Sequence, residues 1–185
     1  MDPRTAVARE DAPERPDLSV VLPVYRSKDT LPALCERINE AFASTTAKLE
    51  LVLVEDCGRN GSWEVIEKLA QTLPGARGIR LIRNFGQHAA TICGMALSGG
   101  QWVATIDDDL EQPPEKLPEL LLKAKQGYDL VYGIYPERTH AVCVDRLFSI
   151  AVKHPRGVQL SGQSKGLVKS LLLAEPVTFG FARRG

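Results

Sequence analysis

The chain has 185 residues, and its 23 Lys and Arg side chains balance its 23 Asp and Glu side chains. This length suits one domain with a substantial core. The balanced charge argues against a nucleic-acid-binding protein, which is usually basic overall. The charge is uneven along the chain, because from Arg138 onward eight Lys and Arg residues face only two acids, an excess of six positive charges.

The cysteines and the apolar stretches indicate the cellular compartment of the chain and its relation to the membrane. The four cysteines include no C-x-x-C pair, which argues against a zinc site or a disulfide framework and favours a reducing, cytoplasmic compartment. Residues 1–17 alternate charges and prolines, so we predict a disordered leader rather than a signal peptide. The longest apolar stretch, Leu167–Phe181, is interrupted by charges and falls short of the roughly 20 residues of a membrane helix. We therefore predict no membrane span.

Apolar runs alternate with helical periodicities along residues 18–133. The predicted strands are Leu18–Val24, Leu49–Val54, Gly78–Ile82, Trp102–Ile106 and Asp129–Gly133. Four helices are predicted. The first begins near Thr30, the second begins at Ser62, the third ends at about Leu97, and the fourth extends from Pro113 to Gly127. This alternation predicts an α/β fold with a mostly parallel sheet and helices on both faces. Farther along, the spacing favours an amphipathic helix at Val142–Lys153 and a short helix at Leu167–Ala174.

The stretch IDDDLEQPPE, residues 106–115, directly follows the fourth predicted strand. Open α/β sheets bind ligands at this end of a strand. Alternation along an extended chain predicts that Asp107 and Asp109 share one face while Asp108 points the other way. Two converging carboxylates repel each other unless a cation lies between them, and oxygen ligands suit Mg²⁺ or Mn²⁺, with Glu111 available as a third. The alternative is a solvated acidic turn, but the strand before it and the helix start after it favour the metal site.

Two common modes of nucleotide binding are excluded by the absence of their glycine motifs. The turn after the first strand, PVYRSKDTLP, has no glycine, although a dinucleotide fingerprint needs glycines there. The chain also lacks the G-x-x-x-x-G-K-[ST] phosphate cradle. The phosphates of a bound nucleotide must then be held by the metal. We expect the base near Asp56, after the second strand, and the diphosphate near Asp107 and Asp109.

Four segments of the chain form a recognisable set: VVLPVY at 20–25, VLVEDCGRNGSW at 52–63, IRNFGQHAATICGM at 82–95 and IDDDLEQPPEKL at 106–117. In order and spacing they resemble the motifs of the family-2 glycosyltransferases with the GT-A fold. The motifs RNFGQH and DDDLEQPPE are most similar to those of the polyprenyl-phosphate branch of this family. That branch includes dolichyl-phosphate mannosyltransferases and undecaprenyl-phosphate sugar transferases. The resemblance implies a Rossmann-like GT-A domain at residues 18–135, followed by a shortened acceptor and membrane-proximal region at residues 136–185.

The resemblance also implies a donor and the residues that bind it. The donor is a nucleoside-diphosphate sugar with UDP or GDP, and the cofactor is Mg²⁺ or Mn²⁺; no residue decides between uracil and guanine. Pro23 and Tyr25 border the nucleoside, Asp56 accepts a hydrogen bond from the base, and Arg83 lies over the base or ribose. The acidic motif supplies the rest: Asp107 and Asp108 for the nucleotide, and Asp107, Asp109 and Glu111 for the metal.

The implied acceptor is a lipid phosphate on the cytoplasmic face of a membrane. Because a phosphate is already an anionic nucleophile, it needs cations to position it, and Arg138, Arg146 and Lys165 are the candidates. We count both arginines as catalytic residues together with the metal-binding aspartates, and in-line displacement inverts the anomeric centre. A hydroxyl acceptor would instead need a general base, for which the candidates are Asp108 and Glu111.

Three further interpretations remain open at the sequence level. The chain is alternatively a non-catalytic relative that keeps the nucleotide-binding fold as a binding or scaffold module. A receiver-like phosphoacceptor domain also gathers acids at strand ends, although this chain lacks an acid pair after the first strand. Independently of these, the basic tail beside Leu171–Leu173 and Phe179 is typical of peripheral contact with an anionic membrane leaflet.

Overall fold

The computed structural model describes residues 15–128, 130–133 and 148–153. The strands are β1 (Leu18–Val24), β2 (Leu49–Glu55), β3 (Ala76–Arg80), β4 (Trp102–Thr105), β5 (Leu130–Gly133) and β6 (Phe148–Lys153). The helices are α1 (Leu31–Phe42), α2 (Ser62–Thr72), α3 (Gln87–Leu97) and α4 (Leu117–Lys125), with a 3-10 turn at Pro114–Lys116 before α4. Within these described parts of the chain, no helix is both long enough and apolar enough to cross a membrane.

The six strands form one sheet in the order β3-β2-β1-β4-β6-β5. The first four pair in parallel, whereas β6 is antiparallel to both of its neighbours, β4 and β5. The predicted mostly parallel sheet is therefore confirmed. The strand order reverses between β1 and β4, and such a reversal opens a crevice at the carboxyl ends of the strands. A receiver-like domain has the order 2-1-3-4-5, so this sheet excludes that interpretation.

Helices cover both faces of the sheet, as predicted. On one face, α1, α2 and α4 pack against Val20 and Leu22 of β1 in the larger apolar cluster. On the other face, Val21 belongs to a smaller cluster with α3. Gly94 allows α3 to approach the sheet closely, because a Cβ atom at this position would lie 2.4 Å from Val21 Cγ1 and 2.9 Å from Val54 Cγ2.

The predicted helix at Val142–Lys153 is wrong for its described residues, 148–153, which form β6. The sequence FSIAVK alternates bulky apolar residues with small or polar ones, which is the two-residue period of a strand. Its partner is the edge of β4 that β1 does not occupy, in a register that places Ile150 opposite Thr105. Strand pairing thus prevails over helical spacing in this segment. The predicted helix at Leu167–Ala174 lies outside the described residues.

Polar contacts fasten the amino-terminal ends of the strands, opposite the crevice. Arg15, within the predicted leader, donates to the carbonyl oxygens of Gly99 and Gly100 across 2.9 and 2.7 Å. Glu50 of β2 accepts hydrogen bonds from Ser19 Oγ of β1 and, across 2.8 Å, from the Gly99 backbone N–H. These contacts hold the loop before β4 beside β1. The rest of the leader, residues 1–14, lies outside the described residues.

Candidate active site

An open cleft of about 370 Å³ lies at the carboxyl ends of β1 and β4, where the strand order reverses. Four separate parts of the chain line it: the end of β1, the end of β2, the loop before α3 and the loop after β4. The lining residues are Pro23, Val24, Tyr25, Asp56, Asn84, Gly86, Gln87, Asp107, Asp108 and Asp109. The parallel strands therefore bring distant sequence motifs to one edge of the sheet.

The acidic loop after β4 is a turn rather than an extended chain. β4 ends at Thr105, before the first aspartate, and Leu110 adopts a left-handed conformation with φ of 64°. Strand alternation therefore does not apply to Asp107–Asp109. The prediction that the middle aspartate points away from the other two does not hold, because all three line the cleft.

Asp107 is half-buried and is held by two glutamine side chains. Its Oδ1 accepts a hydrogen bond from Gln87 Nε2 across 2.5 Å, and its Oδ2 accepts one from Gln112 Nε2 across 3.0 Å. The Asp107 backbone N–H also donates to Gln112 Oε1 across 3.3 Å. Burial raises the pKa of the Asp107 carboxyl, the negative charge of Asp109 raises it further, and the hydrogen bond from Gln87 opposes these effects. The site thus gathers other acidic side chains around a carboxylate of fixed orientation.

Asp108 connects the acidic loop to the loop after β1. Its Oδ2 accepts a hydrogen bond from the Tyr25 backbone N–H across 3.0 Å, and its carbonyl oxygen accepts one from Thr30 Oγ1 across 2.7 Å. The next residue after Tyr25, Arg26, has a φ of 60°, which is uncommon for a residue other than glycine. Tyr25 itself is 45% exposed and borders the cleft. The two loops therefore form one connected wall.

Asp56 is buried at the opposite end of the cleft and holds the turn before α3. Its Oδ1 accepts a hydrogen bond from the Phe85 backbone N–H across 2.7 Å, and its Oδ2 accepts one from the Gly86 backbone N–H across 2.8 Å. Each oxygen of an ionised carboxylate has a second lone pair, so the carboxylate can still accept a hydrogen bond from a ligand. Asp56 therefore has both a structural role and free acceptor capacity.

Glu55, the last residue of β2, organises the loop beside Asp56. It is 2% exposed, and its Oε1 accepts a hydrogen bond from the Gly58 backbone N–H across 2.6 Å. Its Oε2 lies 3.5 Å from Arg80 Nε, which is an ion pair without a hydrogen bond. Cys57 and Arg59 in this loop have φ of 54° and 51°. A buried carboxylate thus holds a strained turn at the edge of the cleft.

Most of the nucleotide-binding and metal-binding residues predicted from the sequence meet in this cleft. They are Pro23, Tyr25, Asp56, Asp107, Asp108 and Asp109. Two others do not line it: the guanidinium carbon of Arg83 lies 4.7 Å from the centre of the Phe85 ring, and Glu111 contributes its backbone N–H to Asp109 Oδ1 across 2.9 Å. The predicted acceptor residues Arg138, Arg146 and Lys165 lie outside the described residues.

Sequence reasoning missed the polar side chains that support the acids. Asn84 and Gln87 line the cleft, and Gln112 contacts Asp107 without being assigned a role from the sequence. The available signal was their position, because all three follow β3 or β4 on the side of the sheet where ligands bind. Sequence reasoning looked for carboxylates as metal ligands and did not consider neutral amides, although the amides of Gln87 and Gln112 orient Asp107.

The donor set fits a divalent cation that is shared with a ligand. Within the described residues, no three His, Cys, Asp or Glu side chains are arranged to hold a metal ion. Asp107 and Asp109 do supply two neighbouring carboxylates at the cleft, and their mutual repulsion raises the pKa of Asp107. Mg²⁺ is usually bound by one or two carboxylates together with water and substrate phosphates. The role of Glu111 as a third ligand stays a prediction.

Comparison with known proteins agrees with this site. A family model described as Glycosyl transferase family 2 matches residues 19–158. The chain is 36% identical over 186 residues to the undecaprenyl-phosphate 4-deoxy-4-formamido-L-arabinose transferase of Pseudomonas paraeruginosa (strain DSM 24068 / PA7), covering 90% of this chain and 54% of that protein. The chain thus spans about half the length of the curated relatives it matches.

Solved structures show the same fold at low sequence identity. The mannosyltransferase PcManGT from Pyrobaculum calidifontis, in complex with GDP-Man and Mn²⁺, has a TM-score of 0.55 and 17% identity over 76% of this chain and 45% of that chain. S. aureus TarS 1-349, in complex with UDP-GlcNAc, has a TM-score of 0.51 and 20% identity over 68% of this chain and 37% of that chain. These similarities confirm the predicted GT-A-type fold.

Proposed function

We propose, on the premise that this chain belongs to glycosyl transferase family 2, that it transfers a sugar from a nucleoside-diphosphate sugar to a polyprenyl phosphate. Family membership confirms the resemblance found in the four sequence motifs. The acceptor class is proposed because the names of the matched relatives include undecaprenyl phosphate. The transfer takes place at the cytoplasmic face of the membrane, where the basic tail contacts the anionic leaflet.

One observation carries the proposal: the same cleft has a buried carboxylate at one end and three aspartates at the other. Asp56 retains acceptor capacity for the N–H groups of a base, and Tyr25, which is 45% exposed, lines the same cleft. Asp107 and Asp109 lie across the cleft, where the diphosphate belongs. The donor therefore lies over the ends of β1 and β4, with its nucleoside toward Asp56.

The acidic end of the cleft holds the cation and stabilises the leaving group. Asp107 and Asp109 hold Mg²⁺ or Mn²⁺, with Glu111 as a third ligand, and the bound cation supplies Lewis-acid stabilisation of the departing nucleoside diphosphate. The two carboxylates alone would repel the negatively charged donor. Asp107 contributes a carboxylate that is already oriented by hydrogen bonds, so less ordering is needed when the donor binds.

The chemistry of a phosphate acceptor determines which further residues the transfer needs. The phosphate oxygen is an anionic nucleophile, so no general base has to remove a proton from it. Arg138, Arg146 and Lys165 neutralise and orient the acceptor phosphate, and the oxygen attacks the anomeric carbon opposite the leaving diphosphate, inverting its configuration. Oδ2 of Asp108 accepts a hydrogen bond from the Tyr25 backbone N–H, which supports a positioning role for this residue.

Calorimetric titration with UDP and GDP, with and without Mn²⁺, tests donor binding. We expect one of the two diphosphates to bind in a Mn²⁺-dependent manner, and Asp109→Asn to lose that dependence because the variant keeps the shape of the side chain but not its charge. A thermal-shift panel of nucleotide sugars then identifies the donor, and radiolabelled sugar with undecaprenyl phosphate tests transfer. Absence of Mn²⁺-dependent binding of any nucleoside diphosphate would refute the proposal. Binding without transfer would favour the non-catalytic nucleotide-binding module.

A further inference from the structure

Hydrogen bonds on either side of one peptide bond join the two ends of the cleft through the first residue of α3. Asp56 binds the backbone N–H groups of Phe85 and Gly86 across 2.7 and 2.8 Å. The next residue, Gln87, donates from Nε2 to Asp107 Oδ1 across 2.5 Å. The carboxylate at the nucleoside end therefore fixes the turn that carries the amide holding the carboxylate at the cation end.

The helix behind this turn cannot shift to absorb a movement of the turn. α3 begins at Gln87, and about two turns later Gly94 lies so close to the sheet that even a methyl group would collide with Val21 and Val54. Interfaces packed this tightly shift as a unit instead of deforming continuously. A change at Asp56 is therefore transmitted to the Gln87 side chain rather than lost in the body of α3.

Gln112 provides an internal comparison. It holds the other oxygen of the same carboxylate, with Nε2 3.0 Å from Asp107 Oδ2, and its own Oε1 accepts from the Asp107 backbone N–H across 3.3 Å. Both partners of Gln112 belong to Asp107, within the acidic loop. Gln112 thus orients the carboxylate locally, whereas Gln87 connects it to the nucleoside end.

We infer that Gln87 is a positioning residue that couples occupancy of the nucleoside end of the cleft to the geometry of the cation end. This inference rests on the proposed function. A nucleoside that bonds to Asp56 stiffens the Phe85–Gly86 turn, and Gln87 then holds the Asp107 carboxylate in the orientation that a cation needs. Coupling of this kind is reciprocal, so a bound cation tightens nucleoside binding by the same factor.

Titration of Mn²⁺ followed by electron paramagnetic resonance tests the coupling without relying on turnover. The probe at the other end is uridine or guanosine, whichever matches the diphosphate that binds, because a nucleoside lacks the phosphate oxygens through which the diphosphate would share the cation. In the wild-type chain we expect the nucleoside to tighten Mn²⁺ binding by about five-fold, the effect of one net hydrogen bond. In Gln87→Met, which keeps the length of the side chain but has no N–H, the nucleoside has no effect on Mn²⁺ affinity.

Two further variants separate coupling from general damage. We expect Gln112→Met to weaken Mn²⁺ binding by about five-fold, because it removes one net hydrogen bond to Asp107. The nucleoside should still tighten Mn²⁺ binding in this variant, because the path through Gln87 is intact. His88→Ala, an exposed change on the same helical turn, leaves both quantities unchanged, and circular dichroism checks that all variants are folded.

The outcomes distinguish this inference from the proposed function. If the wild-type chain binds neither nucleoside diphosphate with Mn²⁺, the proposed function fails and the inference fails with it. If Mn²⁺ and the diphosphate bind, but the nucleoside does not tighten Mn²⁺ binding or tightens it equally in Gln87→Met, only the inference is overturned.

Discussion

The carboxylate of Asp108 accepts a hydrogen bond from the backbone N–H of Tyr25 across 3.0 Å. The two residues are far apart in sequence, and each lies in a loop that follows one of the adjacent strands β1 and β4. In the proposed donor complex, Tyr25 borders the nucleoside and the acidic loop borders the diphosphate. Together with the hydrogen bond from Thr30 Oγ1 to the Asp108 carbonyl oxygen, this contact therefore sets the distance between the loops proposed to bind the two halves of the donor.

Replacing Asp108 separates its role as an acceptor from its charge. Asp108→Ala removes the acceptor, so we expect the affinity for nucleoside diphosphate with Mn²⁺ to fall by about ten-fold, as for the loss of a hydrogen bond to a charged group. Asp108→Asn keeps an oxygen that accepts from the Tyr25 N–H, and its affinity should stay within about three-fold of wild type. Calorimetric titration measures both. Equal damage in the two variants would mean that the charge of Asp108 matters, as it would for a ligand of the cation or a general base.

Gly94→Ala tests how tightly α3 is seated on the sheet. The added methyl group would collide with Val21 and Val54, and overpacking of this kind typically lowers the free energy of unfolding by about 1–3 kcal/mol. Urea denaturation measures the loss. Ile92→Ala is the matched control on the same helix, because its side chain is 43% exposed and surface changes usually stay within about 0.5 kcal/mol. A Gly94→Ala protein as stable as wild type would show that α3 has room to move.

The cysteines should differ sharply in their reactivity toward iodoacetamide. Burial raises the pKa of the Cys35 thiol to about 12 and that of the Cys93 thiol to about 11. At mildly alkaline pH both thiols are therefore protonated as well as inaccessible, and the thiolate is the reactive form. Cys57 is partly exposed beside Asp56, so we expect it to be alkylated first of these three. Peptide mass spectrometry checks the order, and labelling in urea, where all three should react, is the control.

We predict that Asp17, which directly precedes β1, makes the stability of the fold depend on pH. The hydrogen bond from Lys125 Nζ, at 2.8 Å, and then the hydrogen bond from the Lys48 backbone N–H lower the pKa of Asp17. A lowered pKa in the folded chain gives stability that is present above the pKa of the unfolded chain and is lost as the pH falls through the folded pKa. Asp17→Asn should therefore lower the free energy of unfolding by about 0.5 kcal/mol near neutral pH and by nothing in strong acid.

Urea denaturation at both pH values measures the difference between Asp17→Asn and wild type. The asparagine oxygen can still accept from the Lys48 N–H, so the comparison isolates the charge of Asp17. A difference of the same size in strong acid as near neutral pH would contradict the assignment to the ion pair with Lys125.

Much of the fold was predictable because the apolar runs of its strands are short and clearly bounded. The runs that begin at Leu18, Leu49 and Trp102 form β1, β2 and β4 as predicted, since each is buried on both faces of the sheet. β6 was not predictable in the same way. Its alternating pattern also contains helical spacing, and only the available edge of β4, a tertiary feature, decides in favour of a strand.

The acidic residues that line the cleft could be predicted from the sequence, but the glutamine side chains that orient Asp107 could not. Carboxylates after β2 and β4 stand out because parallel strands place them at one edge of the sheet. The orientation of Asp108 was missed because β4 stops at Thr105, one residue earlier than predicted, which ends the alternation of side chains. The contacts of Gln87 and Gln112 with Asp107 depend on how two loops meet in space, and no spacing within the sequence encodes them.

The pairing of Leu18 with both Leu49 and Trp102 has a consequence for biosynthesis. The ribosome releases β1 and β2 early, so one edge of the first strand is covered soon after it emerges, while its other edge waits until β4 has been made. During that interval an apolar strand edge is open to other nascent chains. Because the same late pairing brings the acidic loop beside Tyr25, we expect a newly made chain to form the cleft only when this open edge of β1 is covered.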